Sequence, residues 1–412
     1  MERYAEYKDS NIPWMSEVPS HWNIERAKWH FIQRNERGNV VPQLLAATQR
    51  YGMYPQEKIE GVVKVAEGTD IQMFKTVHKN DFVISLRSFQ GGFERSDYEG
   101  VCSPAYQVFY ADNAWNMDYL RFLFKNELFI DAMNALTVGI REGRNIKYED
   151  FSNSYIAIPP VCEQDAIARY LNDEIQHIDS LIDEAKASIE EYKAWKASII
   201  YEAVTKGLDK DVEMKDSGLE WVGQIPVHWI VSRVKNEVLN MDYLREPISA
   251  ENRDNKLGLY DYYGASGAID KIDDYNVDDT VLLIGEDGAN LRMRNLPLVY
   301  KASGKFWVNN HAHILKVKDK NNYGYMAYLL EAGDYNVYIT GAAQPKLSQF
   351  NLMRYPIPMA PRNEQDAICE YLDKKCESTD ALISEKESLV NDLEAYKKSL
   401  IFETVTGKRK VV

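Results

Sequence analysis

Glu163-Gln164-Asp165-Ala166-Ile167 opens the stretch that decides the fold, because the chain writes it twice: 201 residues further on it returns as Glu364-Gln365-Asp366-Ala367-Ile368. Tyr170-Leu171 returns as Tyr371-Leu372, Trp195-Lys196-Ala197-Ser198 as Tyr396-Lys397-Lys398-Ser399, and Glu202-Ala203-Val204-Thr205 as Glu403-Thr404-Val405-Thr406, all in one ungapped register. Apolar residues of the first copy fall at Ile167, Leu171, Ile175, Ile178, Ile182, Ala185, Ile189, Tyr192, Trp195 and Ile199. Steps of three and four describe a single stripe on an α-helix, held for about six heptads. The second copy keeps the stripe at Ile368, Leu372, Cys376, Thr379, Ile383, Val390, Leu393, Tyr396 and Leu400, with Lys386 as its charged member. At ~1.5 Å per residue, each helix is expected to be roughly 65 Å long. So narrow a stripe needs a partner, and the chain supplies a matching one.

Working outward, Lys8-Asp9-Ser10 with Trp14, Pro19 and His21-Trp22 reappears 207 residues later as Lys215-Asp216-Ser217 with Trp221, Pro226 and His228-Trp229. Each copy of this lead-in motif precedes a region of roughly 130 residues and then a long helix, so the architecture is motif, variable region, helix, twice over. The variable regions read as mixed α/β. Asp81–Leu86 and Asp279–Ile284 are expected as equivalent buried strands, Ser103–Phe109 and Asn310–Leu315 as a second matched pair. Helices are expected over Met117–Phe129 and Tyr325–Leu330. Each region closes on an apolar segment ended by proline (Ile156–Pro160 and Tyr355–Pro358). Asn363 is the expected N-cap of the second long helix.

At 412 residues the chain exceeds what one core organises, so at least two domains are expected. No window approaches ~18 apolar residues and the N-terminus has no apolar run, which predicts a soluble, cytoplasmic protein that spans no membrane. The four cysteines, Cys102, Cys162, Cys369 and Cys376, lack CxxC spacing, so neither a zinc site nor a disulfide framework is indicated. A net charge of −14 argues at first against nucleic acid. The excess acid, however, sits on the helices and connectors, while the two variable regions are nearly balanced and free to gather a basic face.

The paired lead-in motif with Pro-x-His-Trp, the Ile-Pro…Glu-Gln helix start and the duplicated long helix together resemble the DNA specificity subunit of type I restriction–modification systems. The resemblance covers essentially the whole chain, and the ordered set occurring twice is what makes it specific. It implies an α+β fold in which two mixed α/β target-recognition domains are separated by two long antiparallel helices forming a coiled coil, a pseudo-two-fold tandem repeat. The expected divisions are residues 1–160 (first recognition domain), 161–206 (first spacer helix), 207–361 (second recognition domain) and 362–412 (second spacer helix). It further implies one half of a bipartite double-stranded DNA site read by each domain, two adenine methyltransferase subunits that bring S-adenosylmethionine, and restriction subunits. No catalytic residue, metal or directly bound cofactor is expected in this chain. Two unlike readers on a stiff rod could read two different half-sites about one turn (~34 Å) apart on one side of the duplex, with the rod acting as a ruler.

Sequence readout calls for Arg on guanine and Asn or Gln on adenine, presented on exposed loops. In the first region, Leu86–Arg95 has that composition, giving Arg87, Ser88, Gln90 and Arg95 as candidate contacts. Thr48–Tyr51 adds Arg50, and Arg141–Asn145 adds Arg141 and Arg144. In the second region the candidates are Tyr263 and Ser266 in a Gly-flanked loop that is equally readable as a hairpin turn, Asn290, Arg292 and Arg294, and also His311 and Lys346. His311-Ala312-His313 places two imidazoles on one strand face, but no Cys or carboxylate stands at ligand spacing, so DNA contact or core packing is the expected role. His21 and His228 recur before Trp, which favours a duplicated structural role.

Two rival functions are weighed against this. A free-standing methyltransferase needs an acidic-Pro-Pro-aromatic element, which Ile158-Pro159-Pro160-Val161 does not supply. A nuclease needs clustered carboxylates with a nearby lysine; Gly285-Glu286-Asp287-Gly288 has the acids but no lysine at the expected spacing. A coiled-coil scaffold binding only protein partners is the remaining alternative, and it would not require two differing α/β regions with loops rich in Arg, Asn, Gln and Tyr.

Overall fold

The computed structural model describes residues 2–38, 43–49, 51–59, 71–86, 91–136, 146–254 and 256–411. Both expected long helices form, the first over Val161–Lys206 and the second over Arg362–Val405. The chain divides into two compact units, Met1–Lys186 with Ser388–Val412, and Ala187–Glu387. Each unit therefore holds one lead-in motif, one variable region, and half of each long helix.

In the first unit the lead-in motif is a hairpin of Tyr7–Ile12 and Met15–Pro19, followed by Asn23–Arg26, which pairs with Tyr155–Ile158. A four-stranded antiparallel sheet is built from β1 (Phe31–Arg34), β2 (Phe82–Ile84), β3 (Glu94–Arg95) and β4 (Gln107–Ala111) in the order β1-β4-β2-β3. Its core is a knot of phenylalanines: Phe31, Phe82, Phe93, Phe109, Phe124, Phe129 and Phe151 are all buried, with Phe93 and Phe151 at 5.0 Å in an edge-on contact. Ile167, Leu171, Ile178, Ile182 and Ala185 of the first long helix join this core together with Val390, Leu400 and Val405 of the second. Asp179 pairs with Lys397 at 2.6 Å and Lys186 with Glu394 at 3.3 Å, so residue numbers rise along one helix as they fall along the other. The packing is antiparallel.

The second unit repeats the hairpin (Met214–Leu219, Gly223–Pro226) and the closing pair (Ile230–Arg233 with Pro356–Met359). Its sheet is larger: β5 (Val238–Asn240), β6 (Leu257–Gly264), β7 (Gly267–Ile272), β8 (Val277–Gly285), β9 (Val299–Val308) and β10 (Ala312–Val317), ordered β5-β10-β8-β9-β6-β7. The β6–β9 pair is parallel and the others antiparallel. Ile200, Ala203 and Val204 share its core with Ile368, Leu372 and Cys376, and Lys196 reaches Asp380 at 2.6 Å.

Several details depart from the sequence reading. The apolar stripe drifts after Ile189: Ile200 is buried, while Trp195, which falls in the stripe but is large for such a seam and equally readable as a docking residue, is 46% exposed, as is Tyr396. A straight helix advances 3.6 residues per turn against a 3.5 repeat, so the seam shifts by a residue over this length. Met117–Phe129 is two helices, because Asn126 caps a new one, its side chain accepting from the Leu128 and Phe129 amides. Asn363 is not the cap. The second long helix starts one residue earlier, and the Pro361 carbonyl accepts the Glu364 and Gln365 amides, as the Pro160 carbonyl does for Glu163 and Gln164. Both long helices are followed by a left-handed glycine, Gly207 at φ +77° and Gly407 at φ +72°, where any side chain would be strained.

Candidate nucleic-acid interface

The duplicated Glu-Gln-Asp triplet is a fastener, and the structure gives each of its side chains a separate task. Glu163 accepts the Trp22 indole N–H (2.9 Å) and the Tyr4 hydroxyl (2.8 Å) and pairs with His21 (2.5 Å). Glu364 accepts the Trp229 indole N–H (2.9 Å) and pairs with His228 (2.6 Å). Burial would raise the Glu163 carboxyl, but its contacts with Trp22, His21 and Tyr4 hold it below the usual carboxylate range. Gln164 accepts the Asn116 amide N–H and Gln365 that of Asn322, both at 2.8 Å. Asp165 and Asp366 accept the side-chain amides of the same two asparagines at 2.7 and 2.8 Å. Asn116 and Asn322 in turn cap the helices Met117–Phe124 and Tyr323–Ala332. The triplet thus ties the lead-in motif and the variable region's helix to the start of each long helix. The sequence reading missed the two asparagines, although the spacing Asn116…Tyr119 and Asn322…Tyr325, with both tyrosines buried, carried a signal.

Arg50, Arg87, Ser88, Gln90, Arg141 and Arg144 lie outside the described residues. Arg95 is described: its guanidinium is bonded to Asp118 (2.8 Å) and Asp97 (2.7 Å). It lines a cleft of about 530 Å³ with Tyr51, Tyr54, Tyr98, Arg121 and Lys125. Glu94 at the same place is buried, and burial pushes its carboxyl up to about 7 against the pull of Lys125 at 2.5 Å.

In the second unit Ala265-Ser266 is a two-residue turn joining β6 and β7, so the Gly-flanked loop is a hairpin tip with Ser266 exposed. Tyr263 is half-buried against Phe306. Asn290 binds the chain back on itself at Leu296 and Pro297. Arg294, at φ +53°, donates to the Glu331 carbonyl. Arg292 is exposed and has no side-chain partner among the described residues. Lys346 pairs with Glu286 at 3.0 Å and His311 with Asp287 at 2.8 Å. The two imidazoles of His311-Ala312-His313 separate in environment, His311 on the surface and His313 fully enclosed beside Asp242. The fold also brings a lysine to Glu286, a juxtaposition that sequence spacing could not show. Arg245 and Lys346 occupy the Glu286 oxygens, and burial notwithstanding they hold its carboxyl below the usual range.

The fold and site define a class: a duplicated protein in which an invariant fastening of lead-in motif, helix cap and long helix carries two α/β regions of different size. Residues 226–391 match the family described as the type I restriction modification DNA specificity domain. The chain is 24% identical over 442 aligned positions to the type I restriction enzyme MjaVIII specificity subunit of Methanocaldococcus jannaschii, covering 98% of this chain and 97% of that one. It is 32% identical over 139 residues to a putative type I restriction enzyme specificity subunit of Haemophilus influenzae, a match spanning 34% of this chain and about a third (35%) of that protein. Its fold is similar to a chain solved in work on assembly and conformational transition of the type I R-M system (TM-score 0.70, 12% identity, 94% of this chain and 98% of that one). It is also similar to the HsdS subunit from Thermoanaerobacter tengcongensis (TM-score 0.52, 14% identity, 95% and 98%). Residues 226–391 are thus similar to the type I DNA specificity domain, and the chain as a whole is similar to type I specificity subunits.

Proposed function

We propose that each unit reads one half of a bipartite duplex site, and that this chain selects the sequence while partner subunits perform the chemistry. The observation that carries this reading is the fastener: one set of contacts, made twice, holds two regions whose largest sheets have four and six strands among the described residues. A constant frame with unlike inserts suits a protein whose attachments stay fixed while its recognised bases differ. Direct readout in the major groove would fall to the loop residues named above, with the exposed and unpaired Arg292 the strongest described candidate. The lengths of the long helices would set the gap between half-sites. Two adenine methyltransferase subunits would supply S-adenosylmethionine, and restriction subunits would join them in the cytoplasm. Trp195 and Tyr396, exposed at matching positions of the two helices, are large apolar rings suited to receiving the methyltransferases. Among the described residues no helix is long and apolar enough to cross a membrane.

The test is co-expression with the methyltransferase subunits followed by sequencing of adenine methylation. A single motif of two unlike blocks separated by a fixed gap is the expected result. Methylation without such a motif, or unchanged when this chain is omitted, would refute the proposal.

A further inference from the structure

His313 lies on β10 with no exposed surface. Its Nδ1 is 2.7 Å from Asp242 Oδ2 and its Nε2 is 2.8 Å from the Leu347 carbonyl oxygen. A carbonyl only accepts, so Nε2 carries a proton. Asp242 also accepts the Ile314 amide at 2.8 Å, and although burial pushes its carboxyl up, His313 and that amide hold it below the usual range. The enclosed ring is thus held at both ends, by Asp242 and by the Leu347 carbonyl, on two different segments.

Those ties converge on two of the candidate reading segments of the second unit, those bearing Lys346 and Asn290–Arg294. The Leu347 N–H donates to the Glu286 carbonyl (2.7 Å), the Gly288 N–H to the Pro345 carbonyl (3.0 Å), and the Glu286 N–H to the His311 carbonyl (2.8 Å). Thr340 and Lys346 exchange backbone hydrogen bonds at 2.8 and 2.9 Å, closing segment 340–347 into a loop. Arg245 bonds to Glu286 and approaches Asp242 at 3.5 Å, Lys346 pairs with Glu286, and His311 with Asp287. Every charge around the ring thus has a partner. An apolar ring of this size would fill the same space without the cost of enclosing polar atoms. What it could not do is hold the Leu347 carbonyl.

We propose that His313 is a positioning residue for base recognition: by gripping the Leu347 carbonyl it fixes the loop bearing Lys346 against the Glu286–Gly288 platform that leads into Asn290–Arg294. This rests on the reading of those loops as the DNA-contacting surface of the second unit. It makes the grip on Leu347, rather than the ring's contact with Asp242, the functional contact.

The experiment uses the full chain in complex with its methyltransferase subunits. Binding is measured to the duplex motif found by methylation sequencing and to duplexes altered in one or the other half. His313→Phe keeps the ring volume but loses the grip; it should lower discrimination at the half-site read by the second unit at least tenfold and leave the other half-site unchanged. Asp242→Asn alters the ring's other partner while leaving Nε2–H on Leu347, and should retain discrimination within about threefold. The inference is overturned if His313→Phe discriminates as the parent does or weakens both half-sites alike. It is also overturned if Asp242→Asn loses half-site discrimination, an arm that stands even where the phenylalanine variant does not fold. Arg292→Ala and Lys346→Ala separate the two claims. If neither alters that half-site, the loops are not the reader. If they do and His313→Phe does not, only the positioning role falls.

Discussion

Replacing Glu163 with alanine removes the acceptor for three donors at once, and the second copy provides an internal control with two. Trp22 is fully buried, so its indole N–H would be left without a partner; Tyr4 is half-buried; the His21 ring is largely in solvent. A hydrogen bond to a charged acceptor contributes about 1.5–3 kcal/mol, and an orphaned buried donor adds to its loss. The exposed imidazole pair contributes at most about 0.5 kcal/mol. Together these give a cost of about 4 kcal/mol for Glu163→Ala. Glu364→Ala loses the Trp229 bond and the exposed His228 pair but no tyrosine, and its carboxylate is already 34% exposed against 11% for Glu163. Its cost should be about 2 kcal/mol. Both carboxylates sit in the first turn of a helix, so the helix-dipole contribution is common to the two variants and cancels from their difference. Urea unfolding followed by hydrogen exchange, read on peptides covering 15–26 and 222–233, measures each unit separately. Glu163→Gln, which keeps an acceptor for the indole, should recover about half the loss. Should Glu364→Ala cost as much as Glu163→Ala, or Glu163→Ala cost less than 1 kcal/mol, the fastener is not what holds the hairpin to the helix.

Other expectations are as direct. The Glu94 carboxyl, raised from 4.5 to about 7 by burial, favours the fold in its neutral form, so its contribution is intact below pH 4.5 and is lost as pH rises through about 7. Glu94→Gln should therefore stabilise the protein by up to about 3 kcal/mol at pH 8 and hardly at all at pH 5; thermal unfolding at the two pH values checks the sign. Ile182→Asp places an unpaired charge in the helix seam, where Ile182 is 6% exposed, and should cost at least 3 kcal/mol in urea unfolding. Arg292→Ala should weaken discrimination at one half-site by about 1–3 kcal/mol and leave the other intact, as measured with duplexes altered one half at a time.

Much of the architecture was legible because duplication exposes it: the 201- and 207-residue spacings mark the long helices and both lead-in motifs without reference to propensity. What escaped did so for physical reasons. Trp195 falls where a heptad would bury it, and its bulk alone left seam and outward docking position both open; helical phase turns it and Tyr396 outward. Asn126 ends one helix and begins another inside a pattern that reads as a single stripe. The β6–β7 ribbon alternates too weakly to signal strands, since Leu257 and Leu259 are exposed. Around the candidate site, the meeting of Lys346 with Glu286 and of His313 with Asp242 joins segments 60 and 71 residues apart in sequence. No local pattern reports such a contact. Asn116 and Asn322, by contrast, were recoverable from the repeat itself.

Because the first unit draws on Ser388–Val412 as well as Met1–Lys186, it cannot be completed during synthesis until residues 388–412 have left the ribosome. The second unit, Ala187–Glu387, is finished first although its residues are made later than most of its sibling's. A nascent chain interrupted before Val390 would leave the core that holds Ile178, Ile182 and Ala185 without its members Val390, Leu400 and Val405, a sticky surface for chaperones or proteases. Premature termination should thus be policed through the amino-terminal reader, far in sequence from the lesion.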